Sequence, residues 1–293
     1  MFLILHNPLS SNRKSRRKTK RYVRLFKNKS IPFIVRSSLK IDNLIRFLED
    51  RPQITDILLL GGDGSINYLI NSIDINQVKQ TIHLAKSGSG NDFLRTLKRE
   101  KKADVTIGKA TLDKDRAVEF INGCGLGFDG LVCHYVNNDK KKNKISYFIN
   151  VFRSIIQFKP QALELSVDGK KTVYNKTYLV AVQNGRYFGG GMKATPKAHI
   201  DDDDYYVLIV HTLPKILLQI LLLSIYPGWH PIFKKYISII KGKNIQVNFE
   251  KSNYFQADGE VLDDVKSIQV QAFKKQTFVA FNSKNLVHKN TSQ

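Results

Sequence analysis

Two glycine-rich turns carry the residue types that bind phosphate. The first is Gly61-Gly62-Asp63-Gly64-Ser65, which ends the apolar run Ile57–Leu60 and precedes a helix-like segment. Glycines let the backbone approach a bulky ligand, and the free N–H groups and dipole of a helix N-terminus attract an anion. Because no Gly-Lys-Ser/Thr follows these glycines, the turn is not a P-loop. It predicts a nucleotide-phosphate site of another kind.

The second turn is "SGSGNDF", Ser87 to Phe93, which also leads from a strand-like segment into a helix-like one. Asn91 and Asp92 fall in the first turn of that helix, where side-chain oxygens commonly do no more than cap the backbone. Next to the first turn, however, the pair is expected to form the second wall of one nucleotide pocket.

Two acidic segments lie further along the chain. Asp258-Gly259-Glu260 follows a strand-like run, and its carboxylates are either a solvated hairpin turn or a source of a general base. Asp201 to Asp204 are consecutive, and such a run is either a solvated loop or a site for a hard cation such as Mg²⁺. Acid concentrated in so basic a chain favours the cation site.

The composition limits the classes of partner. The chain has 293 residues and a formal net charge of +22, from 47 Lys and Arg against 25 Asp and Glu. The partners should be anionic: nucleic acid, an acidic membrane surface or phosphates. Cys124 and Cys133 are too few for a disulfide framework and indicate a reducing compartment. We therefore expect a cytoplasmic protein.

No segment predicts a membrane span or a signal peptide. "MFLIL" is too short for a signal-peptide core. The longest apolar stretch, Ile216–Tyr226, is roughly half the length of a membrane-spanning helix. This Leu-rich block belongs either to the core or to an edge that faces lipid.

The elements that must position these residues change in character near residue 110. Before it, strand-like and helix-like segments alternate, which predicts a parallel sheet covered by helices on both faces. After it, short alternating segments rich in Val, Tyr and Phe predict antiparallel strands. We expect an α/β domain at 1–110, a β domain at 111–275 and a segment at 276–293 that packs back on the first domain.

A strongly basic helix is predicted from Ser11, a plausible N-cap, to about Asn28. Its cations are Arg13, Lys14, Arg16, Arg17, Lys18, Lys20 and Arg21. They form either a solvated face or a surface for anionic lipid, which attracts nearby cations by about 1 kcal/mol each. Only Tyr22 and Phe26 interleave with them, which does not favour nucleic-acid binding.

The chain also contains one G-x-G-x-x-G, "GLGFDG", at Gly125 to Gly130. A dinucleotide site would place this motif in a βαβ unit with an acidic residue about 20 positions further on. The motif lies beyond the predicted α/β region and lacks that acid, so we do not interpret it as a dinucleotide site.

The ordered motifs resemble the diacylglycerol-kinase catalytic family of lipid kinases, in its bacterial soluble form. They are "NPLSS", "GGDGSIN", "GSGNDF", "INGCGLGFD", "VQNGRYFGGGMKATPKAHIDD", "PGWH" and "ADGE", spread over residues 7–260. The resemblance implies an N-terminal Rossmann-like nucleotide-binding α/β domain followed by a C-terminal antiparallel β-sandwich domain. Each motif is moderately specific, and the ordered set is strongly so.

The resemblance also implies site residues, with ATP and Mg²⁺ as cofactors. The nucleotide-binding positions would be Asn7, Pro8, Ser10, Ser11, Ser37, Gly61, Gly62, Asp63, Gly64, Ser65, Ile66, Asn67, Gly88, Ser89, Asn91 and Asp92. The catalytic residues would be Asp63, as a partner of the catalytic Mg²⁺, and Asp258 or Glu260 as general base, with a slight preference for Asp258 beside the strand end. A structural Mg²⁺ is expected at His199, Asp202 and Asp204, with Asp202 as the best side-chain ligand.

Four positions depart from the family pattern. Ser11 and Asp203 stand where glycine is usual, Lys86 replaces a common proline, and Ser65 replaces threonine but keeps the hydroxyl. Asp203 makes the metal loop the weakest part of the match.

The resulting prediction is an ATP-dependent lipid kinase, with diacylglycerol as the first acceptor to consider. Kinases of a sphingoid lipid, monoacylglycerol or phosphatidylglycerol share every visible motif. An NAD kinase, by contrast, is not expected to contain the stretch "GGGMKATPKA". Expected partners are the lipid substrate and the anionic inner face of the membrane, with peripheral attachment. A homodimer is left open, and no nucleic acid is expected.

Overall fold

The structure is a computed structural model and describes residues 1–8, 15–87, 90–139 and 144–285. The helices are α1 (Ser15–Asn28), α2 (Leu44–Glu49), α3 (Asp63–Ser72), α4 (Asp92–Glu100), α5 (Phe128–Asn138), α6 (Lys144–Gln157) and α7 (Lys215–Ile225). The strands are β1 (Phe2–His6), β2 (Phe33–Ser37), β3 (Asp56–Gly61), β4 (Thr81–Lys86), β5 (Lys102–Leu112), β6 (Ala117–Phe120), β7 (Gly123–Gly127), β8 (Gln161–Val167), β9 (Lys170–Gln183), β10 (Tyr205–His211), β11 (Ile237–Gly242), β12 (Ile245–Ala257) and β13 (Glu260–Ala280).

The chain forms two compact units. Unit 1 comprises Met1–Val105 and Lys274–Gln293, and unit 2 comprises Thr106–Phe273. The chain passes from one unit to the other within β5 and returns within β13. The fold class predicted from the sequence, an α/β domain followed by a β-sandwich domain, is confirmed.

Unit 1 is built on a parallel sheet in the order β2-β1-β3-β4, followed by the end of β13. The central strand β3 is buried from Ile57 to Gly61, as expected of a parallel strand that is covered on both faces and reads as one apolar run. The end of β13 runs parallel to β4, with Phe278 opposite Ile82. The end of β13, close to the C-terminal end of the described chain, therefore completes the sheet that contains β1.

The helices of unit 1 pack through their apolar faces. Phe26 of α1 is fully buried against Ile4, Leu58 and Leu60, while the described cations of this helix are exposed or half-buried. The predicted N-cap Ser11 lies outside the described residues. In α2, the side chain of Asn43 accepts the N–H of Arg46 at 3.0 Å and caps the helix.

Unit 2 consists mostly of antiparallel strands. Its main path is β11-β10-β9-β7-β12-β13, and β8 pairs with both β9 and β12. The Asp168-Gly169 hairpin joins β8 to β9, with φ values of 50° and 85°. This conformation is typical of the two-residue turns that match the twist of antiparallel strands.

The second half of strand β9, from Thr177 to Gln183, is buried on both faces because it separates two apolar clusters. Val180 and Val182 point to the cluster between the strands, while Leu179 and Ala181 point to the one beneath the helices of unit 2. Since successive side chains of a strand face opposite sides, a continuous apolar run results instead of an alternating one.

Two features of unit 2 interrupt the predicted run of antiparallel strands. Residues 117–127 form two short strands, β6 and β7, which are divided at Ile121-Asn122. Helix α5 was not predicted, because its glycine-rich start carries no capping side chain. No helix among the described residues is long and apolar enough to cross a membrane.

Candidate active site

The predicted phosphate turns lie at the carboxyl edge of the parallel sheet of unit 1. In register, His6 of β1 lies opposite Ser37 of β2 and Leu60 of β3, and Gly61 lies opposite Lys86 of β4. The chain moves outward from β1 to β2 on one side and from β3 to β4 on the other. The crevice between β1 and β3 is therefore a topological switch point, where open α/β sheets bind ligands.

The first turn depends on Gly61. A Cβ on Gly61 would lie 2.3 Å from Cβ and 2.5 Å from Oγ of Ser65, so only glycine lets α3 start so close to the end of β3. Gly62 is the N-cap residue and offers no side-chain cap, while the N–H groups of Ser65 and Ile66 bond to its carbonyl. A Cβ on Gly64 would meet nothing within 4 Å, which leaves open space at the N-terminus of α3.

Asp63 joins the two turns. Its carboxylate accepts the N–H of Asp92 at 2.8 Å and of Phe93 at 3.3 Å, and so it caps α4. Asn91 holds the N-cap position of that helix but makes no side-chain capping bond, so the simple capping alternative is wrong for Asn91. In the backbone, the N–H of Asp63 also donates a hydrogen bond to the carbonyl of Gly90 at 3.2 Å. The two turns thus form one hydrogen-bonded structure.

A second backbone contact joins the two turns where they leave β3 and β4. The N–H of Ser87 donates to the carbonyl of Gly61 at 3.1 Å, and Nζ of Lys18 donates to the carbonyl of Ser87 at 2.8 Å. Lys18 was predicted only as part of a basic surface. Its contact places one cation of α1 directly on the second turn.

A small pocket lies between the two turns and the strands that precede them. Its lining consists of Leu59, Gly61, Gly62, Asp63, Ile66, Leu84, Ala85, Asn91 and Leu94. Five of these were predicted as nucleotide-binding residues: Gly61, Gly62, Asp63, Ile66 and Asn91. The remainder are apolar side chains of β3, β4 and α4, which sequence motifs do not reveal.

The other predicted nucleotide residues of unit 1 lie on the same edge or outside the described chain. Asn7 and Pro8 follow β1, and the hydroxyl of Ser37 accepts the N–H of Leu39 at 3.3 Å. Asn67 is buried in α3, and Asp92 pairs with Arg95.

The remaining predicted residues lie outside the described part of the chain. They are the nucleotide-binding positions Ser10, Ser11, Gly88 and Ser89 and the cations Arg13 and Lys14.

In unit 2, Asp258 is tied to the chain that connects β6 and β7. Its carboxylate accepts the N–H groups of Ile121, Asn122 and Gly123 at 2.8, 2.9 and 3.0 Å. Asp258 and Gly259 have φ values of 50° and 95° and form the tight turn between β12 and β13. Glu260, by contrast, is exposed at the start of β13. The two acids of this turn therefore have different surroundings.

Two side chains that the sequence analysis missed hold the same turn. Gln256 accepts the N–H of Gly259 at 3.1 Å, and Asn137 of α5 donates to the carbonyl of Gly259 at 3.0 Å. Gln256 in turn donates to Asp129 at 3.1 Å, and burial raises the pKa of Asp129 to about 7. The only sequence signal was the position of Asp129 inside "GLGFDG".

The glycines of "GLGFDG" serve close packing. The segment does lead from a strand, β7, into a helix, α5, but β7 runs antiparallel to β9 and β12 and so is no part of a parallel βαβ unit. A Cβ on Gly127 would lie 2.6 Å from the carbonyl oxygen of Tyr178, and one on Gly130 2.2 Å from that of Tyr254. These contacts agree with excluding a dinucleotide site.

A lysine of β11 lies among the predicted metal ligands of the aspartate-rich loop. Nζ of Lys241 lies 3.0 Å from Asp202 and 2.9 Å from Asp204, and these hydrogen bonds raise the pKa of Lys241. Each contact uses one carboxylate oxygen. Oδ1 of Asp202 is buried and has no hydrogen-bond partner among the described residues. Nδ1 of His199 lies 3.4 Å from a guanidinium nitrogen of Arg186.

Comparison with protein families matches both parts of the chain. Residues 1–122 match the family described as "Diacylglycerol kinase catalytic domain". Residues 123–272 match the one described as "YegS C-terminal NAD kinase beta sandwich-like domain". The two matches are consecutive and together cover residues 1–272.

Individual relatives and structures agree with these matches. "Putative lipid kinase YtlR" of Bacillus subtilis is 23% identical over 235 residues, which cover 70% of this chain and 74% of the relative. "Putative lipid kinase SAS0691" of Staphylococcus aureus is 26% identical over 218 residues, with 70% and 71% covered. A crystal structure of a "putative diacylglycerol kinase" from Bacillus anthracis superposes with a TM-score of 0.73 at 20% identity, covering 96% and 97%. At that identity the superposition shows the fold alone.

Proposed function

Because this chain belongs to the diacylglycerol-kinase catalytic family of lipid kinases, we propose that it transfers the γ-phosphate of ATP to a lipid hydroxyl, with diacylglycerol as acceptor and phosphatidic acid as product. The observation that carries the proposal is the pair of glycine turns that Asp63 joins at the switch point of the unit 1 sheet. A sheet edge of this kind is suited to an anionic nucleotide.

The nucleotide half of the mechanism is positioning. Backbone N–H groups of Gly62 and Gly64 in the first turn hold the phosphates, and the two glycines let those phosphates approach the backbone because neither has a Cβ. Phosphoryl transfer depends on such placement and on charge neutralisation more than on covalent chemistry. The open space beside Gly64 supports this assignment.

The acceptor half requires a base, and the geometry favours Glu260. The carboxylate of Asp258 already accepts three backbone N–H groups, which makes it an anchor that fixes the turn. Glu260 is exposed on the other side of Gly259, where a substrate can reach it. In this proposal Glu260 takes the proton of the lipid hydroxyl as its oxygen attacks the γ-phosphorus and ADP leaves. This reverses the slight preference for Asp258 drawn from the sequence.

The residues of the aspartate-rich loop fit a structural Mg²⁺ in one respect. The buried Oδ1 of Asp202 has no partner in the described chain, whereas Oδ2 pairs with Lys241. Asp202 would therefore hold the ion, with Asp204 and His199 as further predicted ligands of the loop. A bound Mg²⁺ would neutralise carboxylate charge that Lys241 alone does not cover. Asp63 remains the predicted partner of a separate, catalytic Mg²⁺.

Replacing Asp202 by Asn should remove the stabilisation of the protein by Mg²⁺. With the unaltered protein and no nucleotide, saturating Mg²⁺ is expected to raise the unfolding temperature by about 2–4 °C, and Asp202→Asn should abolish the shift. Asp263→Asn, which removes an exposed acid elsewhere in unit 2, is the matched control and should keep it. An equal Mg²⁺ response of the Asp202 variant and the unaltered protein would exclude the proposed site.

The acceptor is decided by assaying ATP-dependent phosphorylation over a lipid panel. The panel contains diacylglycerol, monoacylglycerol, a sphingoid base and phosphatidylglycerol, with NAD as the non-lipid control. We expect the highest kcat/KM with diacylglycerol and no phosphorylation of NAD. Preference for another lipid would replace diacylglycerol within the proposal, and phosphorylation of NAD alone would overturn it.

Because the acceptor resides in a bilayer, we also propose that the enzyme attaches peripherally to the anionic inner face of the membrane. The exposed cations of α1, including Arg16, Arg17, Lys20 and Arg21, support this partner. Their attraction to anionic lipid is expected to weaken as salt rises, because exposed charges are screened over about 8 Å at physiological ionic strength.

A further inference from the structure

Two helices of unit 2 expose apolar stripes. On α6, the side chains of Ile149, Phe152 and Ile156 are 61%, 52% and 61% exposed. On α7, those of Ile216, Ile220 and Leu223 are 78%, 57% and 64% exposed. Their spacings of three and four residues place each set on one face of its helix. Scattered exposed apolar residues need no explanation, but two aligned rows do.

The core determines which way both helices face. Ile155 of α6 and Leu218, Leu221 and Ile225 of α7 are at most 5% exposed and belong to one cluster beneath the helices. The exposed rows are therefore the remaining faces of helices that are already packed. Nζ of Lys215 donates to the carbonyl of Ile156 at 2.9 Å, which brings the end of α6 next to the start of α7.

The chain after α7 extends the apolar surface. Trp229 is 67% and Ile232 72% exposed, although His230 between them is fully buried and bonds to the carbonyl of Ala194 at 2.7 Å. The backbone N–H of Trp229 bonds to the carbonyl of Ser224, so the backbone at Trp229 lies beside the last turn of α7. We call the exposed residues the α6–α7 patch: Ile149, Phe152, Ile156, Ile216, Ile220, Leu223, Trp229 and Ile232.

The charged residues of the two segments that carry the α6–α7 patch have one sign. The sequence contains no Asp or Glu between Asp139 and Glu164, and none between Asp204 and Glu250, so neither helix carries an acid. Arg153, Lys215, Lys234 and Lys235 are exposed in these same segments. Exposed apolar side chains on segments whose charged residues are all cations are complementary to a layer of anionic headgroups above hydrocarbon.

We propose that the α6–α7 patch docks unit 2 on an anionic lipid bilayer, with its apolar side chains in the interface and its cations at the headgroups. The inference rests on the proposed lipid acceptor and names the surface by which unit 2 reaches the bilayer. A second copy of the chain fits less well, because a self-complementary interface would bring the cations of these segments against one another. Trp229 is exposed, and tryptophan is enriched at membrane interfaces.

Trp229 is the only tryptophan of the chain and reports on docking without a label. Vesicles of phosphatidylcholine with phosphatidylglycerol are titrated into the unaltered protein, and pure phosphatidylcholine vesicles serve as the comparison. We expect a blue shift of the emission and quenching by brominated lipid only when phosphatidylglycerol is present. Ile220→Asp with Leu223→Asp should weaken vesicle affinity at least tenfold.

Two further variants make the result specific. Phe152→Asp on α6 tests the second row, and it should also weaken binding. Val173→Asp places the same charge on a residue of β9 that is 63% exposed and outside the α6–α7 patch, and it should bind vesicles like the unaltered protein. Thermal unfolding confirms that each variant is folded, since the substituted side chains lie outside the core.

Three results would overturn the inference. The first is that the Ile220 and Leu223 variant binds vesicles as tightly as the unaltered protein does. Co-sedimentation with vesicles without any change in Trp229 emission is the second, and it would assign docking to α1. A dimer that the same substitutions convert to a monomer is the third, and it would make the patch an interface between copies. Failure of the unaltered protein to phosphorylate short-chain diacylglycerol in detergent would refute the acceptor and leave the docking result standing.

Discussion

Replacing Glu260 by Gln is expected to lower kcat by about 10²–10⁴-fold, the usual contribution of a general base. The amide is close in size but does not take up the proton of the lipid hydroxyl. Because Glu260 is exposed and begins β13 at the surface, the substitution leaves ATP affinity and the unfolding temperature at the values of the unaltered enzyme. Steady-state kinetics with saturating ATP, calorimetry and thermal unfolding measure the three quantities.

Asp258→Asn is the matched comparison, and it should act on stability. Oδ1 of Asp258 accepts two backbone N–H groups and Oδ2 a third. An asparagine retains only one oxygen, so its NH₂ group would face a backbone donor. We expect a loss of about 2–3 kcal/mol in the free energy of unfolding.

The pair separates three interpretations of the turn. Full stability with lost turnover in Asp258→Asn, together with near-normal turnover in Glu260→Gln, would make Asp258 the base. Near-normal turnover in both variants would remove this turn from catalysis.

Gly62→Val is expected to lower ATP affinity by about 100-fold without unfolding the protein. Gly62 has φ −117° and ψ −166°, an extended conformation that a β-branched residue adopts without strain. Its added side chain would keep the phosphates from the backbone N–H groups of positions 62 and 64 in the first turn. Losing two hydrogen bonds to charged groups, each worth about 1.5 kcal/mol, corresponds to that factor. Isothermal titration with ATP measures it.

Neighbouring glycines provide controls for the fold. Gly61→Val should lower the unfolding temperature, because its Cβ would lie 2.3 Å from Cβ of Ser65. Gly64→Ala should keep or raise it, because its Cβ meets nothing within 4 Å and alanine favours a helix. Unchanged ATP affinity in a folded Gly62→Val protein would place the nucleotide elsewhere.

The sequence by itself determined the order of the fold and the candidate turns. Strands β1 to β4 and the helices between them could be read because apolar runs, turn residues and helix periodicity are local signals. The Gly61–Ser65 and Ser87–Phe93 turns could be found for the same reason, since glycines clustered between an apolar run and a helix-like segment are also a local signal. The ordered motifs then indicated the family, which the comparisons confirmed.

Only the tertiary structure decided which partners those residues have. Asp63 caps α4 across a gap of about thirty residues, Asp258 binds backbone groups 135 to 137 positions away, and Lys241 pairs with the aspartate-rich loop. Local patterns contain no information on such contacts, because a hydrogen bond depends on where the chain returns in space. The same limit applies to the Leu-rich block. Its composition fits either the core or an edge that faces lipid, whereas the packing of α7 buries Leu218 and Leu221 and leaves Ile220 and Leu223 exposed.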